Sequence, residues 1–224
     1  MQSYEFEDIA GTVVFRADNR WVLLDTGSPL TFAACRSWNF LGRPREPAPD
    51  ILGVLASVRE LLDRRLEVLL GCDLLRELPF EIDWEAHEVR FGDAPGRGGL
   101  RLPLAGPQGL PFVRGALAGE PVRLIPDTGA GINYLVAERL RGPAAGVHRD
   151  FYPLAGRFET PVHRIPLTLG EREFTPSWGK LPPVLDPLRL LADGILGTTL
   201  MRPRVRFDLA GRELTLEAAP LAVA

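Results

Sequence analysis

The sequence predicts a mainly β chain made of two similar halves, and three recurring features carry that prediction. An apolar strand runs into Asp-Thr-Gly twice, within Trp21–Ser28 and within Val122–Ala130. An apolar-apolar-Gly follows each copy, as Leu69-Leu70-Gly71 and as Ile195-Leu196-Gly197. Beyond each lies a pair of alternating strands around a short polar turn, Phe80–Phe91 and Val205–Leu216. Period-two alternation interrupted by a polar turn is the mark of a β-hairpin.

The halves are not equal. Asp25 and Asp127 stand 102 residues apart, whereas Gly71 and Gly197 stand 126 apart. The second half therefore holds about 24 more residues between these two marks, read as an insertion in a common register. The Gly- and Pro-rich stretch 93–111 reads as the linker, which divides the chain into an N-terminal lobe, 1–92, and a C-terminal lobe, 112–224. Helical spacing of Leu, Val and Ile occurs at Ile51–Leu70 and, more weakly, at Leu185–Ala192; a further short helix is expected near Tyr134–Leu140.

At 224 residues the chain is long enough to bury a core without disulfide or metal support. Its 46% apolar and 25% charged content excludes a disordered chain. A net charge of −3 with no basic patch argues against nucleic acid as a partner. Cys35 and Cys72 show neither a disulfide framework nor zinc spacing, which favours a reducing compartment. The N-terminus has no basic n-region or apolar h-region, and no apolar run reaches membrane-spanning length. A cytoplasmic protein without membrane partners is the expectation.

A single Asp-Thr-Gly is an ordinary turn sequence. Two copies are harder to dismiss, since each follows an apolar strand and each precedes the same pair of later features. This pairing resembles the aspartic peptidases of the pepsin and retroviral-protease (retropepsin-like) superfamily. The resemblance runs from about Val13 to about Leu216, and the whole looks like a single-chain tandem fusion of two retropepsin-like halves. It implies a bilobal acid-protease fold with internal pseudo-twofold symmetry, a few short helices, and a cleft between the lobes. It also implies a catalytic pair, Asp25 and Asp127, acting on a peptide or protein substrate without metal or cofactor. Because one chain supplies both aspartates, a monomer suffices.

The residue types suit that chemistry. Two adjacent carboxyls share one proton, since ionising both is costly. The ionised partner activates a water and the protonated one donates to the peptide carbonyl. By resemblance, Thr26 and Thr128 lock the loops together, and Gly27 and Gly129 leave backbone amides free for the carboxylates. Ser28 offers a hydroxyl to Asp25, whereas Ala130 offers none to Asp127. Asp25 is accordingly expected to be the more acidic member.

A flap over the cleft is expected from Asp150–Ile165, with its tip at Leu154, Ala155, Gly156 and Arg157. The first half has no counterpart; its Pro44–Arg65 stretch reads as a loop and then a helix. Pro126, directly before Asp127, departs from the pattern, because proline donates no ladder hydrogen bond and is unusual in a central strand. It argues for a re-aimed Asp127 and for reduced activity. His87, His148 and His163 lack ligand spacing and read as surface residues. Arg59, Arg64 and Arg65 read as solvated helix positions, and Trp21, Trp38 and Tyr134 as core. The leading expectation is an aspartic endopeptidase. The rival is a catalytically silent peptide-binding or scaffolding protein that keeps the fold.

Overall fold

The computed structural model describes residues 1–63, 65–93, 98–106, 109–153 and 155–217. In the N-terminal half, strand Gln2–Ile9 turns back into Thr12–Ala17, which turns again into Arg20–Leu24. The second turn is tight because Asp18 and Asn19 both take positive φ, at 50° and 59°. That geometry matches strand twist, and Asp and Asn tolerate it. Val68–Leu70 lies parallel beside Arg20–Leu24, with Leu24 opposite Leu70. The C-terminal half threads the same way. Val113–Leu117 and Glu120–Pro126 form the hairpin, and Gly194–Leu196 lies parallel beside it, with Pro126 opposite Leu196.

The halves meet at the base of the molecule. Phe80–Asp83 pairs antiparallel with Arg204–Asp208, Ile82 facing Val205 and Phe80 facing Phe207. Exchanging the halves maps this register onto itself, which is the signature of a pseudo-twofold axis. The rings of Phe80 and Phe207 stack there at 5.0 Å and 10°. These two strands lie within one ten-stranded sheet that takes strands from both halves. The structure is thus mainly β and bilobal, with a few short helices.

Asp83 ties the halves electrostatically. Its Oδ2 accepts from Arg204 Nη2 at 2.6 Å and Nε at 2.9 Å, and its Oδ1 from the Ala86 amide at 3.0 Å. Burial pushes its pKa up, but the Ala86 amide and the Arg204 and Arg90 guanidiniums outweigh burial and hold it below the usual value. A depressed carboxylate stabilises the fold above its ordinary pKa, and that contribution is lost as pH falls through the depressed value. Asp83→Asn is therefore expected to cost about 2 kcal/mol at neutral pH, with the deficit shrinking in acid; denaturant midpoints at the two pH values check this.

Several sequence expectations need correction. The helix expected over Ile51–Leu70 is α1, Val54–Leu62 only. Asp50 caps it by accepting from the amides of Val54 and Leu55, and Asp63, at φ 50°, ends it. Val68–Leu70 is then extended, because it must pair beside Arg20–Leu24. A four-residue helix, α2, Cys72–Leu75, follows, and α3, Thr198–Met201, is its counterpart. The Leu185–Ala192 expectation resolves as a 3-10 helix, Pro183–Leu190, with Pro187 inside it. Tyr134 lies on strand Asn133–Leu135, and only Ala137–Arg139 beyond it is helical. The 93–111 stretch holds a strand, Leu100–Pro103, that pairs with Glu213–Glu217. Its alternating burial, Leu100 and Leu102 in, Arg101 and Pro103 out, explains why. Residues 94–97 and 107–108 of that stretch, and Arg64, lie outside the described residues. Arg59 is not a free solvated side chain, since its Nε donates to the Leu66 carbonyl.

Candidate active site

Each Asp-Thr-Gly leaves its strand at the point where the parallel strand alongside also ends. The Asp25 amide donates to the Leu70 carbonyl at 3.0 Å, and the Asp127 amide to Leu196 at 2.8 Å. Within each loop the glycine amide returns to the carboxylate, Gly27 to Asp25 Oδ1 at 2.9 Å and Gly129 to Asp127 Oδ1 at 2.8 Å. Behind each loop passes the apolar-apolar-Gly. A Cβ on Gly71 would lie 2.3 Å from the Leu30 carbonyl oxygen, and one on Gly197 2.1 Å from that of Ile132. Only glycine permits either crossing.

Threonines lock one loop to the other. Thr26 Oγ1 donates to the Pro126 carbonyl at 2.8 Å and accepts the Thr128 amide at 3.0 Å. Thr128 Oγ1 donates to the Leu24 carbonyl at 2.9 Å and accepts the Thr26 amide at 3.0 Å. Both threonines are fully buried. Pro126 does not disturb this lock. It supplies the carbonyl that Leu24 supplies in the other half, and Asp127 keeps its ladder bond. On its other side, the neighbouring strand begins at Val113, whose partner is Leu124, so an N–H at position 126 would have no ladder partner there. The sequence argument for a re-aimed Asp127 is therefore corrected.

The lock sets the two carboxyls side by side: a Cβ on Gly129 would lie 2.9 Å from Asp25 Oδ1 and 3.1 Å from Asp127 Oδ1. Burial, then the charge of Asp127, then the bond between the two carboxyls hold Asp25 well above the usual carboxylate range. Burial also raises Asp127, but the Gly129 amide, the bond from Asp25 and the amides of Gly27 and Ala130 all favour its charged form. Both carboxyls are thus held above the usual range, as a pair that shares one proton. Ser28 does not give Asp25 the hydroxyl donor the sequence suggested, since that hydroxyl donates to the Leu30 carbonyl at 2.7 Å. Ser28→Ala is accordingly expected to leave the acidic limb of any pH–rate profile in place.

A hairpin, Gly146–Tyr152 with Gly156–Arg164, covers the cleft. It starts four residues earlier than the sequence suggested. Ala155 and Gly156 form its turn, Gly156 at φ 78°; Leu154 lies outside the described residues. Arg157 reaches across the cleft and donates to the Leu61 carbonyl of α1 at 2.9 Å. Phe151 packs into the apolar cluster that α1 forms with Leu23 and Leu69. Helix α1 thus stands opposite this hairpin, in the other half.

Beneath the hairpin is a cavity of about 210 Å³ that contains both aspartates. Its walls are mainly apolar, with Leu23, Val58 and Leu69 from one half and Leu181, Leu185 and Ile195 from the other. Tyr152, just before the turn, was not singled out by sequence. Burial, together with the charges of Asp127 and Asp25, pushes its phenol up to about 12, so it faces the pair as a neutral hydroxyl. Its signal in the sequence is only an aromatic residue beside the hairpin turn. Tyr134 is buried as expected, yet its hydroxyl is not idle, since it donates to Asp150 on the hairpin. Trp38 is core as expected, whereas Trp21 is half-buried. Among the described residues no group of three or more His, Cys, Asp or Glu is placed to hold a metal ion. No helix among them is long and apolar enough to cross a membrane.

No family model matches the chain, and no curated protein does. Among solved structures it is similar to a retropepsin-like aspartic protease from Rickettsia conorii, at 20% identity and a TM-score of 0.38, over 53% of this chain and 89% of that one.

Proposed function

We propose that the chain is an aspartic endopeptidase, active as a monomer, in which Asp25 and Asp127 act together on one water. The observation that carries this reading is the juxtaposed carboxyl pair, held by reciprocal threonine bonds in a covered, mainly apolar cleft. Asp127, the ionised partner, takes a proton from the water as its oxygen attacks the peptide carbonyl carbon. Asp25 gives its proton to the carbonyl oxygen, which yields a tetrahedral diol. On collapse the C–N bond breaks, the diol proton returns to Asp25, and Asp127 passes its proton to the leaving nitrogen. Tyr152 adds a neutral hydroxyl above the pair. Two free cysteines, Cys35 and Cys72, agree with a reducing compartment such as the cytoplasm.

The experiment is digestion of a diverse peptide library from acidic to neutral pH, with new peptide ends read by mass spectrometry. Internal cuts that vanish in Asp127→Asn support the reading. Cuts that persist in that variant refute the pair. Peptides bound but never cut would leave the silent peptide-binding reading in its place.

A further inference from the structure

Asp150 stands where the cavity around the catalytic pair meets a second, wider groove. That groove, about 780 Å³, runs outward between the flap hairpin and α1, and Asp150 lines both spaces. Its side chain is 12% exposed. Oδ1 accepts the Phe151 amide at 2.8 Å, and Oδ2 accepts the Tyr134 hydroxyl. A carboxylate has about four lone-pair sites, so these two bonds leave it acceptor capacity.

No arginine or lysine pairs with Asp150 among the described residues. The nearest cationic candidate is His148, whose Nε2 lies 3.9 Å from Oδ2 and whose side chain is 40% exposed. The other charges of the groove are engaged elsewhere. Arg149 pairs with Glu159 at 2.8 Å, and Arg157 is turned to the Leu61 carbonyl. The inner cavity is lined by three acidic side chains, Asp25, Asp127 and Asp150, and by no Arg, Lys or His among the described residues. A low-dielectric space with charge of one sign favours a guest of the other. Beside Asp150 the rings of Tyr134 and Phe158 stand 6.3 Å apart and present apolar faces. Such faces suit the aliphatic stem of a lysine or arginine whose head meets the carboxylate.

We propose that Asp150 is a specificity residue that takes a basic side chain, lysine or arginine, of the peptide held in the cleft. This rests on the peptidase reading of the same cleft. The competing role is purely structural, since the Tyr134–Asp150 bond ties the flap hairpin to its lobe. Two conservative variants separate charge from tie. Asp150→Asn removes the charge, while its amide oxygen still accepts the Phe151 amide and its amide nitrogen donates to the Tyr134 hydroxyl oxygen; Tyr134→Phe removes the tie and keeps the charge.

The test is a library digest followed by kinetics on matched peptides that carry Lys, Arg or Gln near the cut. In the wild-type protein, Lys or Arg is expected to be enriched at one position near the cut. Asp150→Asn is expected to lose about tenfold or more of the Lys/Gln ratio in kcat/KM, mainly through KM. Tyr134→Phe is expected to keep that ratio, even where its total activity falls. Cutting without basic enrichment overturns the proposal, as does enrichment that survives Asp150→Asn or vanishes equally in Tyr134→Phe. Should the wild-type protein cut nothing, the peptidase reading fails by itself. Equilibrium binding of the same Lys and Gln peptides to wild type and Asp150→Asn then decides the role of Asp150, and equal affinities overturn it.

Discussion

Asp25→Asn and Asp127→Asn are each expected to lower kcat/KM by about 10²–10⁴-fold, the range general acid–base groups supply. The double variant is expected to be little worse than either single one, because the two carboxyls work as a unit. The same substitution at position 25 has an opposite effect on stability. In the fold Asp25 binds its proton more tightly than in the unfolded chain. A raised carboxyl stabilises the fold fully below its ordinary pKa of about 3.9, and that contribution is lost as pH rises through the raised value. At neutral pH the wild-type protein bears an electrostatic cost that an asparagine does not. Asp25→Asn is therefore expected to unfold at higher denaturant than wild type at neutral pH, with the gap narrowing in acid. An inactive variant that is also more stable marks a site held together against its own charge. Undiminished hydrolysis in either single variant would defeat the assignment.

The parts of the fold legible in the sequence were those whose residues have one local purpose. Each Asp-Thr-Gly follows a strand, each apolar-apolar-Gly must pass behind it, and Gly71 and Gly197 are glycine because a carbonyl occupies the place of Cβ. The Asp150–Ile165 stretch showed its hairpin through its Gly-containing tip. What escaped was decided by partners far along the chain. Val68–Leu70 continues a helical pattern, yet it is a strand because Arg20–Leu24 waits beside it. Ser28 looked like a donor to Asp25, but its hydroxyl found the Leu30 carbonyl first. Pro126 looked disruptive because the sequence does not show where the neighbouring strand stops. Tyr152 and Asp150 gain meaning only once the hairpin folds over the cleft.

Gly27→Ala is expected to lower activity to about 1% of wild type or less, a loss on the scale of a misplacement of about 1 Å at a reacting centre. The cause is a neighbour from the other half. A Cβ on Gly27 would lie 2.3 Å from both Cγ and Oδ2 of Asp127, far inside contact distance. Asp127 cannot yield cheaply, because its Oδ1 is held by the Gly129 amide and its loop by the threonine lock. Either the carboxyl leaves its partner or the loops part. The overpacking is expected to cost about 1–3 kcal/mol of stability as well. Gly129→Ala is the milder change, since its Cβ would meet Asp25 Cγ at 2.9 Å and Asp127 Oδ1 at 3.1 Å. Gly146→Ala, with nothing within 4 Å and no positive φ, is the control and is expected to behave as wild type. The two catalytic glycines occupy equivalent places in the sequence, so their expected ranking comes only from how the carboxyls sit between the loops. Measured kcat/KM and denaturant midpoints for the three variants would expose that asymmetry. Equal activity in Gly27→Ala and Gly146→Ala would mean that Asp127 is not where the pair requires it.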